Sequence, residues 1–201
     1  MPAPSPIAWD DVEDAIYDWF VAATGLATIW SEQDAPQPPY PYASLNITSG
    51  PTKVAGLDET RTTYDVGQLL GQEIGIETAG LREITLSCQI HARQLDATPA
   101  NHPRNLMSRA QSSLGMESFL SGLRVAGLSV IEEGPVQNVS EVVEDTWITR
   151  AMMDVRFGLA ASVEERVGYI KDTEVKPILK KPDGTTMVDD DLLEKFTVVG
   201  P

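Results

Sequence analysis

Two histidines, one cysteine and several close-set carboxylates are the side chains here with most scope for chemistry. His91 stands on the polar side of an alternating run, and His102 precedes Pro103 at a helix start. Neither has the carboxylate pattern or second imidazole that a metal centre requires, so a surface or interface role is expected for both. Cys88 lies on the apolar side of the same run, where a thiol packs as a small hydrophobe rather than acting as a nucleophile. As the only cysteine, it can close neither an intrachain disulfide nor a cysteine-based zinc cage. Glu73 and Glu77 are four residues apart, yet nothing sets them about a substrate. Asp189, Asp190 and Asp191 could attract Ca²⁺ but lack the glycine and closing glutamate of an EF-hand loop, so a solvated acidic tail is expected. Gly67, Gly71 and Gly75 repeat every fourth residue, a helix-contact spacing of little weight in a soluble chain; a glycine-containing loop is the better reading. No serine sits in a G-x-S-x-G turn, and no phosphate- or dinucleotide-binding fingerprint occurs. Asn46-Ile47-Thr48 and Asn138-Val139-Ser140 match the glycosylation sequon, which means nothing without secretion. The expectation is a protein that is not an enzyme, with no catalytic, metal-binding or cofactor-binding residues.

The totals narrow the class further. The 201 residues fit one domain with arms or loops outside its core, and 42% apolar against 22% charged is ordinary globular usage. Thirty acidic against fifteen basic side chains leave a formal charge of −15. That balance argues against a protein that grips nucleic acid, which needs clustered Lys and Arg, and against a peripheral protein on an anionic membrane. It suits a protein that nucleic acid must pass without adhering. The opening residues carry neither a basic n-region nor an apolar h-region, and no apolar run approaches the roughly 18–20 residues that span a bilayer. A soluble protein made in a reducing cytoplasm is expected.

The periodicities give the elements that must position these side chains. Residues 1–6, with three prolines, read as a loose arm. From Ile7, apolar residues recur at three and four (Val12, Ile16, Trp19 or Phe20, Ala23), acidic residues crowd the first turns, and Gly25 stands where a helix would stop. A short strand follows over residues 26–30. Residues 35–42 hold four prolines and two tyrosines, which forbids a helix and predicts an extended, stiff segment. Residues 43–48 alternate as another strand. Residues 50–80 lack a period and carry six glycines, so a long excursion, a hairpin or a mobile loop, is expected. Residues 81–93 are the best strand, with Ile84, Leu86, Cys88 and Ile90 on one face and Thr85, Ser87, Gln89 and His91 on the other, as in an antiparallel sheet covered on one side. Residues 101–127 read as helical, opened by Pro103 and split near Gly115. A strand at 128–131 and an acidic Gly-Pro loop come next. In a second long strand, 147–159, Trp147, Ala151, Met153, Val155, Phe157 and Leu159 alternate with Arg150, Asp154 and Arg156. A further strand is expected around 168–176, and a Pro-Asp-Gly turn at 182–184 within an acidic arm, 179–201. The fold class is α+β: helices packed on one face of an antiparallel sheet.

Tyr40 and Tyr42, held on a proline frame, would lose little entropy on docking, which suits an interface; they could equally cover the domain's own core.

The order of these features is similar to one family. Trp9, Ile16 and Trp19 lead through Thr24-Gly25 to Ile29-Trp30; then come Ala35-Pro36, Pro38 and Pro41-Tyr42-Ala43-Ser44-Leu45. The alternating strand at 82–91, a helix, and Trp147-Ile148-Thr149-Arg150-Ala151 running into Asp154-Val155-Arg156-Phe157 complete the set. Over roughly residues 7–178 the chain resembles the phage neck terminator family, the tail-terminator-like proteins of tailed bacteriophages. It departs at Gln37, where the family often has Arg. The resemblance implies a structural virion protein of the neck, assembled in the host cytoplasm. It implies a homo-oligomeric ring, commonly a hexamer, that caps the tail tube protein and meets the head-side connector or adaptor, without specific DNA binding and away from membranes. In such a ring Tyr40, Tyr42 and Arg150 are the expected anchors, and the 50–80 excursion, through Asp58, Glu59, Arg61 and Tyr64, the expected lumen or inter-subunit contact. The alternatives are another head-tail adaptor or minor tail protein, separable by where it binds on tubes, and an enzyme with an unfamiliar site, which a deep pocket uniting His91 with carboxylates would revive.

Overall fold

The computed structural model describes residues 7–33, 36–54, 56, 58–65, 67, 72–93, 101–143, 145–167, 179–180 and 186–187. The arm expected at 1–6, the strand expected at 168–176, the turn expected at 182–184 and the aspartates at 189–191 lie outside them. The fold is α+β, with a mixed, mostly antiparallel sheet. The chain divides into two compact units, Met1–Thr60 with Glu77–Val163, and Arg61–Ile76 with Glu164–Pro201.

In the first unit, α1 (Trp9–Thr24) buries Val12, Ile16, Trp19, Phe20 and Ala23 along the stripe the periodicity predicts. Gly25 ends it in the left-handed region at φ 73°, its N–H bonded to Val21 O at 2.7 Å. The strands β1 (Ala27–Trp30) and β2 (Tyr42–Lys53) pair in parallel, and β2 pairs antiparallel with β4 (Ile74–Arg93). After α2 (Pro103–Ser113) and α3 (Glu117–Val125) come β5 (Leu128–Glu133), β6 (Gln137–Asn138) and β7 (Glu141–Val143). All three pair antiparallel with successive parts of the 22-residue β8 (Thr146–Val167). The sheet order is β1-β2-β4-β8-β5. Gln89 meets Arg150 and Met152 while Glu83 meets Arg156, so β4 and β8 run antiparallel.

One core forms on one face. Ile84, Leu86, Cys88 and Ile90 of β4 and Met153, Val155 and Phe157 of β8 are fully buried against the apolar stripes of α1 and α2 and against Leu123 of α3. Trp19 joins the layers. Its ring lies edge-on to Phe20 at 5.5 Å and to Phe157 at 6.2 Å. Its Nε1 donates to Ser113 Oγ at 2.9 Å, and that hydroxyl donates to Ala110 O at 2.6 Å. The buried indole N–H is thereby satisfied by α2 rather than left costing about 1–3 kcal/mol.

In the second unit, the residues from Arg61 on of β3 (Glu59–Tyr64) lie beside the start of β4, up to Ile76; Thr63 Oγ1 donates to Gly75 O at 3.4 Å, and Asp65 N to Glu73 O at 2.8 Å. Gly75 therefore lies in a strand and not in a helix of four-residue glycine spacing. Two-residue strands β9 (Leu179–Lys180) and β10 (Thr186–Met187) pair antiparallel.

Two local expectations are corrected. Trp147 does not join the core row: it is 47% exposed, and Ile148 beside it is buried at 5%. The side-chain alternation slips between Ile148 and Ala151, where pairing passes from β7 to β6, and a one-residue slip exchanges the faces. The acidic Gly-Pro loop is also shorter than expected, because the chain pairs again as β6 and β7, strands too short to show a period.

Register also slips in β2, between Ser49 and Thr52. Gly50 sits there at φ 124°, and a Cβ on it would come within 2.6 Å of Ile84 Cγ2 and 2.8 Å of Glu83 O. Gly50→Ala should therefore cost about 2–3 kcal/mol in denaturant unfolding, the sum of positive-φ strain and a clash with backbone. Gly25→Ala, also at positive φ but with nothing within 4 Å of the new Cβ, should lose only about 1 kcal/mol.

Candidate assembly interface

Three helices cover one face of the first unit's sheet; among the described residues none covers the other. That face gathers aromatic and charged side chains by strand register. Tyr42 pairs with His91, and Ser44 with Gln89. The Tyr42 ring stacks on the His91 imidazole, 4.7 Å between centroids and 8° between planes. His91 Nε2 lies 3.0 Å from Ser44 Oγ. Tyr40 leans on Tyr42 at 5.3 Å, and the Arg93 guanidinium stands 5.3 Å above the Tyr40 ring, within cation–π range. Gln37 Nε2 donates to both phenol oxygens, at 3.2 Å to Tyr40 and 2.9 Å to Tyr42. The proline-limited segment thus folds back over the end of β2, and Tyr42 is 8% exposed.

Arg150 of β8 extends the cluster. Its guanidinium donates to Glu141 of β7 and to Gln89 Oε1 of β4. Its backbone N–H donates to Ser140 Oγ at 3.1 Å, and Ser140 is itself held by the Asn138 side chain. Arg150 Nε is shielded from solvent and has no hydrogen-bond partner among the described residues. A cation held by contacts on three strands is fixed in position rather than free to sample rotamers.

The electrostatics follow from this packing. Burial, then the Arg150 charge, lowers the His91 pKa to about 4, against a smaller opposing effect of Glu141. Burial, then the neighbouring Tyr40, raises the Tyr42 phenol above its usual value, opposed by Arg150 and the Gln37 hydrogen bond. Both rings are neutral in the fold near pH 7.

Of the residues singled out by sequence, the structure brings together Tyr40, Tyr42 and Arg150, with His91 among them. Asp58 lies elsewhere on the same unit. It takes a two-pronged contact from Arg82 at 2.8 and 2.9 Å and an ion pair from Lys53 at 3.1 Å, and the Arg82 hydrogen bond leads in lowering its pKa to about 2. Arg82 is nine residues from His91 along β4, about 30 Å at strand rise. Asp58 therefore clasps the β2–β4 ladder internally. Glu59 is exposed beside it; Arg61 and Tyr64 belong to the second unit and are exposed, Tyr64 at 57%.

His102 caps α2, its Nδ1 accepting from Arg104 N at 3.3 Å. Cys88 is buried, and burial pushes its thiol far up. Among the described residues no group of three or more His, Cys, Asp or Glu gathers to hold a metal ion, and no helix is long and apolar enough to cross a membrane.

Gln37, Ser44, Gln89, Arg93 and Glu141 complete the cluster without having been singled out as contacts. Alternation already put Gln89 on the His91 face. The pairing register that adds Ser44, and the fold-back that adds Gln37, have no local signal.

His91 makes the cluster sensitive to acid. Between pH 6.5 and about 4 the imidazole is protonated in the unfolded chain but neutral in the fold, so folding releases a proton. Its contribution is complete above pH 6.5 and is lost as pH falls through that window. Thermal melts from pH 7.5 to 4.5 should show the wild type losing about 1–3 kcal/mol more than His91→Gln, which removes the titration. Parallel pH profiles would refute this assignment.

The family described as phage neck terminator protein matches residues 10–183 of the chain. No curated protein matches it. A match over most of the length identifies the chain as a member of the phage neck terminator protein family, a structural protein of the virion neck.

Proposed function

We propose that the protein is a tail terminator: it assembles as a ring, a hexamer, that caps the tail tube and joins it to the head-side connector, leaving an acidic bore for DNA. The observation that carries this reading is the open sheet face, where Tyr40, Tyr42, His91 and Arg150 form an organised aromatic and cationic patch. Aromatic and arginine side chains held in place are what a contact between subunits draws on. In a ring of identical copies each such patch meets a different surface on the next subunit. Residues 7–178 form the ring body, with 1–6 and 179–201 as arms, and the 50–80 segment faces the lumen or a neighbour through Glu59, Arg61 and Tyr64, while Asp58 holds that segment to Arg82 and Lys53. Six copies at −15 each bring about −90, which keeps a DNA backbone from adhering during passage.

Light scattering across a concentration series should give a species near six subunits, alone or after addition of purified tail tubes, whose ends negative-stain images would then show capped. Arg150→Glu should shift the mass toward monomer and leave tube ends bare. A wild-type chain that stays monomeric and leaves tubes uncapped would end the terminator reading and favour a different neck component.

A further inference from the structure

The helical side of the first unit carries an open groove between α1 and α3, about 520 Å³ in volume. Trp19, Phe119 and Leu123 give it an apolar lining, and one wall is α1's Asp11, Asp14 and Asp18. These three are spaced i, i+3, i+7, so they stand one above another on a single helix face. All are exposed, and among the described residues no Lys or Arg lines the groove. At its lip Val125, the last residue of α3, is 90% exposed. Phe119 also lines the adjoining hollow beside α2, where Met116 is 51% exposed. Exposed Val125 and Met116 contribute little to this chain's own core.

We propose that this groove docks a basic amphipathic helix of another neck protein. That helix places apolar side chains at i, i+3, i+4 and i+7 against Phe119 and Val125, and lysines or arginines opposite Asp11, Asp14 and Asp18. A helix laid in an apolar groove is a recurrent recognition mode, read through those spacings. Three carboxylates in a row at the edge of an apolar lining select a cationic partner and reject an anionic one. A second copy of this chain is the competing occupant. Its exposed apolar pair Val142 and Trp147 has Asp145 at the nearby turn and no Lys or Arg on β7 to set against the three aspartates. The inference rests on the neck reading only for the source of the helix.

Gly122 supplies the test. It lines the groove from α3, and a Cβ on it meets nothing within 4 Å, so Gly122→Phe fills the groove at constant charge. The probe is a fluorescent peptide of about 18 residues, leucines and lysines in amphipathic helical order; a scrambled peptide of equal composition is the control. At physiological ionic strength the full-length protein should bind the ordered peptide about tenfold tighter than the scrambled one. Gly122→Phe should remove that preference, and Asp14→Asn with Asp18→Asn should weaken binding and flatten its salt dependence. Circular dichroism melts verify that each variant folds. Equal affinity for the two peptides, or Gly122→Phe without effect, would mean charge-driven adhesion alone and overturn the groove. A mass change in the protein alone on Gly122→Phe would assign the groove to a second copy and overturn the proposal likewise. Loss of peptide preference leaves tube capping untouched, so the two readings fail separately.

Discussion

The fold depends on where the Trp19 indole can go. It is the largest side chain of α1's buried stripe and it carries a polar N–H, so it needs an apolar bed and one acceptor at once. Phe20 and Phe157 supply edge-on aromatic faces, and Ser113 of α2 supplies the acceptor. That single requirement fixes α1 against both the sheet and α2. With α1 placed, one face of β4 and β8 is covered, and the apolar alternation of both strands is consumed there. The opposite face must then be built from the residues left over, and these are mostly polar or aromatic.

A polar sheet face without helices would ordinarily be left to water. Here it is organised. The prolines between residues 36 and 41 limit the chain to extended geometry and bring two tyrosines over the end of β2. Gln37 ties both hydroxyls, and His91 offers a stacking surface that burial keeps neutral. Tyr42 is used up in this packing, stacked on His91 on the face opposite the helical core. Tyr40, half-buried under Arg93, is the part still presented outward.

What was legible in the sequence follows the range of the interactions. Period and capping signals are local, so α1 with its Gly25 stop, the α2–α3 break near Gly115 and the faces of β4 could all be read directly. Trp147 misled because a strand's parity is visible only while pairing is regular, and the passage from β7 to β6 breaks it. Asp58 could be named as charged and exposed to contact, but not as the partner of Arg82, 24 residues away and met only through the β2–β4 ladder. The Ser44–His91 and Gln89–Arg150 contacts likewise exist only once register is set. The patch was therefore readable as separate residues and not as a site.

Charge is distributed as unevenly as the faces. Arg82, Arg124, Arg150, Arg156 and Arg166 are each ion-paired within the chain, and Arg93 rests on Tyr40. Exposed pairs of this kind add little stability one by one. Their larger consequence is that they neutralise these five cations while surplus carboxylates remain elsewhere on the surface. On α1 that surplus is dense: Asp10, Asp11, Glu13, Asp14 and Asp18 fall within nine residues. The first of these sit where the helix dipole favours negative charge, which makes the local concentration tolerable to the fold. Asp18 lies beyond that help, so part of the acidity of this surface goes unrewarded within the subunit. A surface that carries charge its own fold does not use, beside apolar side chains its own core does not cover, has the composition of one that is completed by something basic from outside.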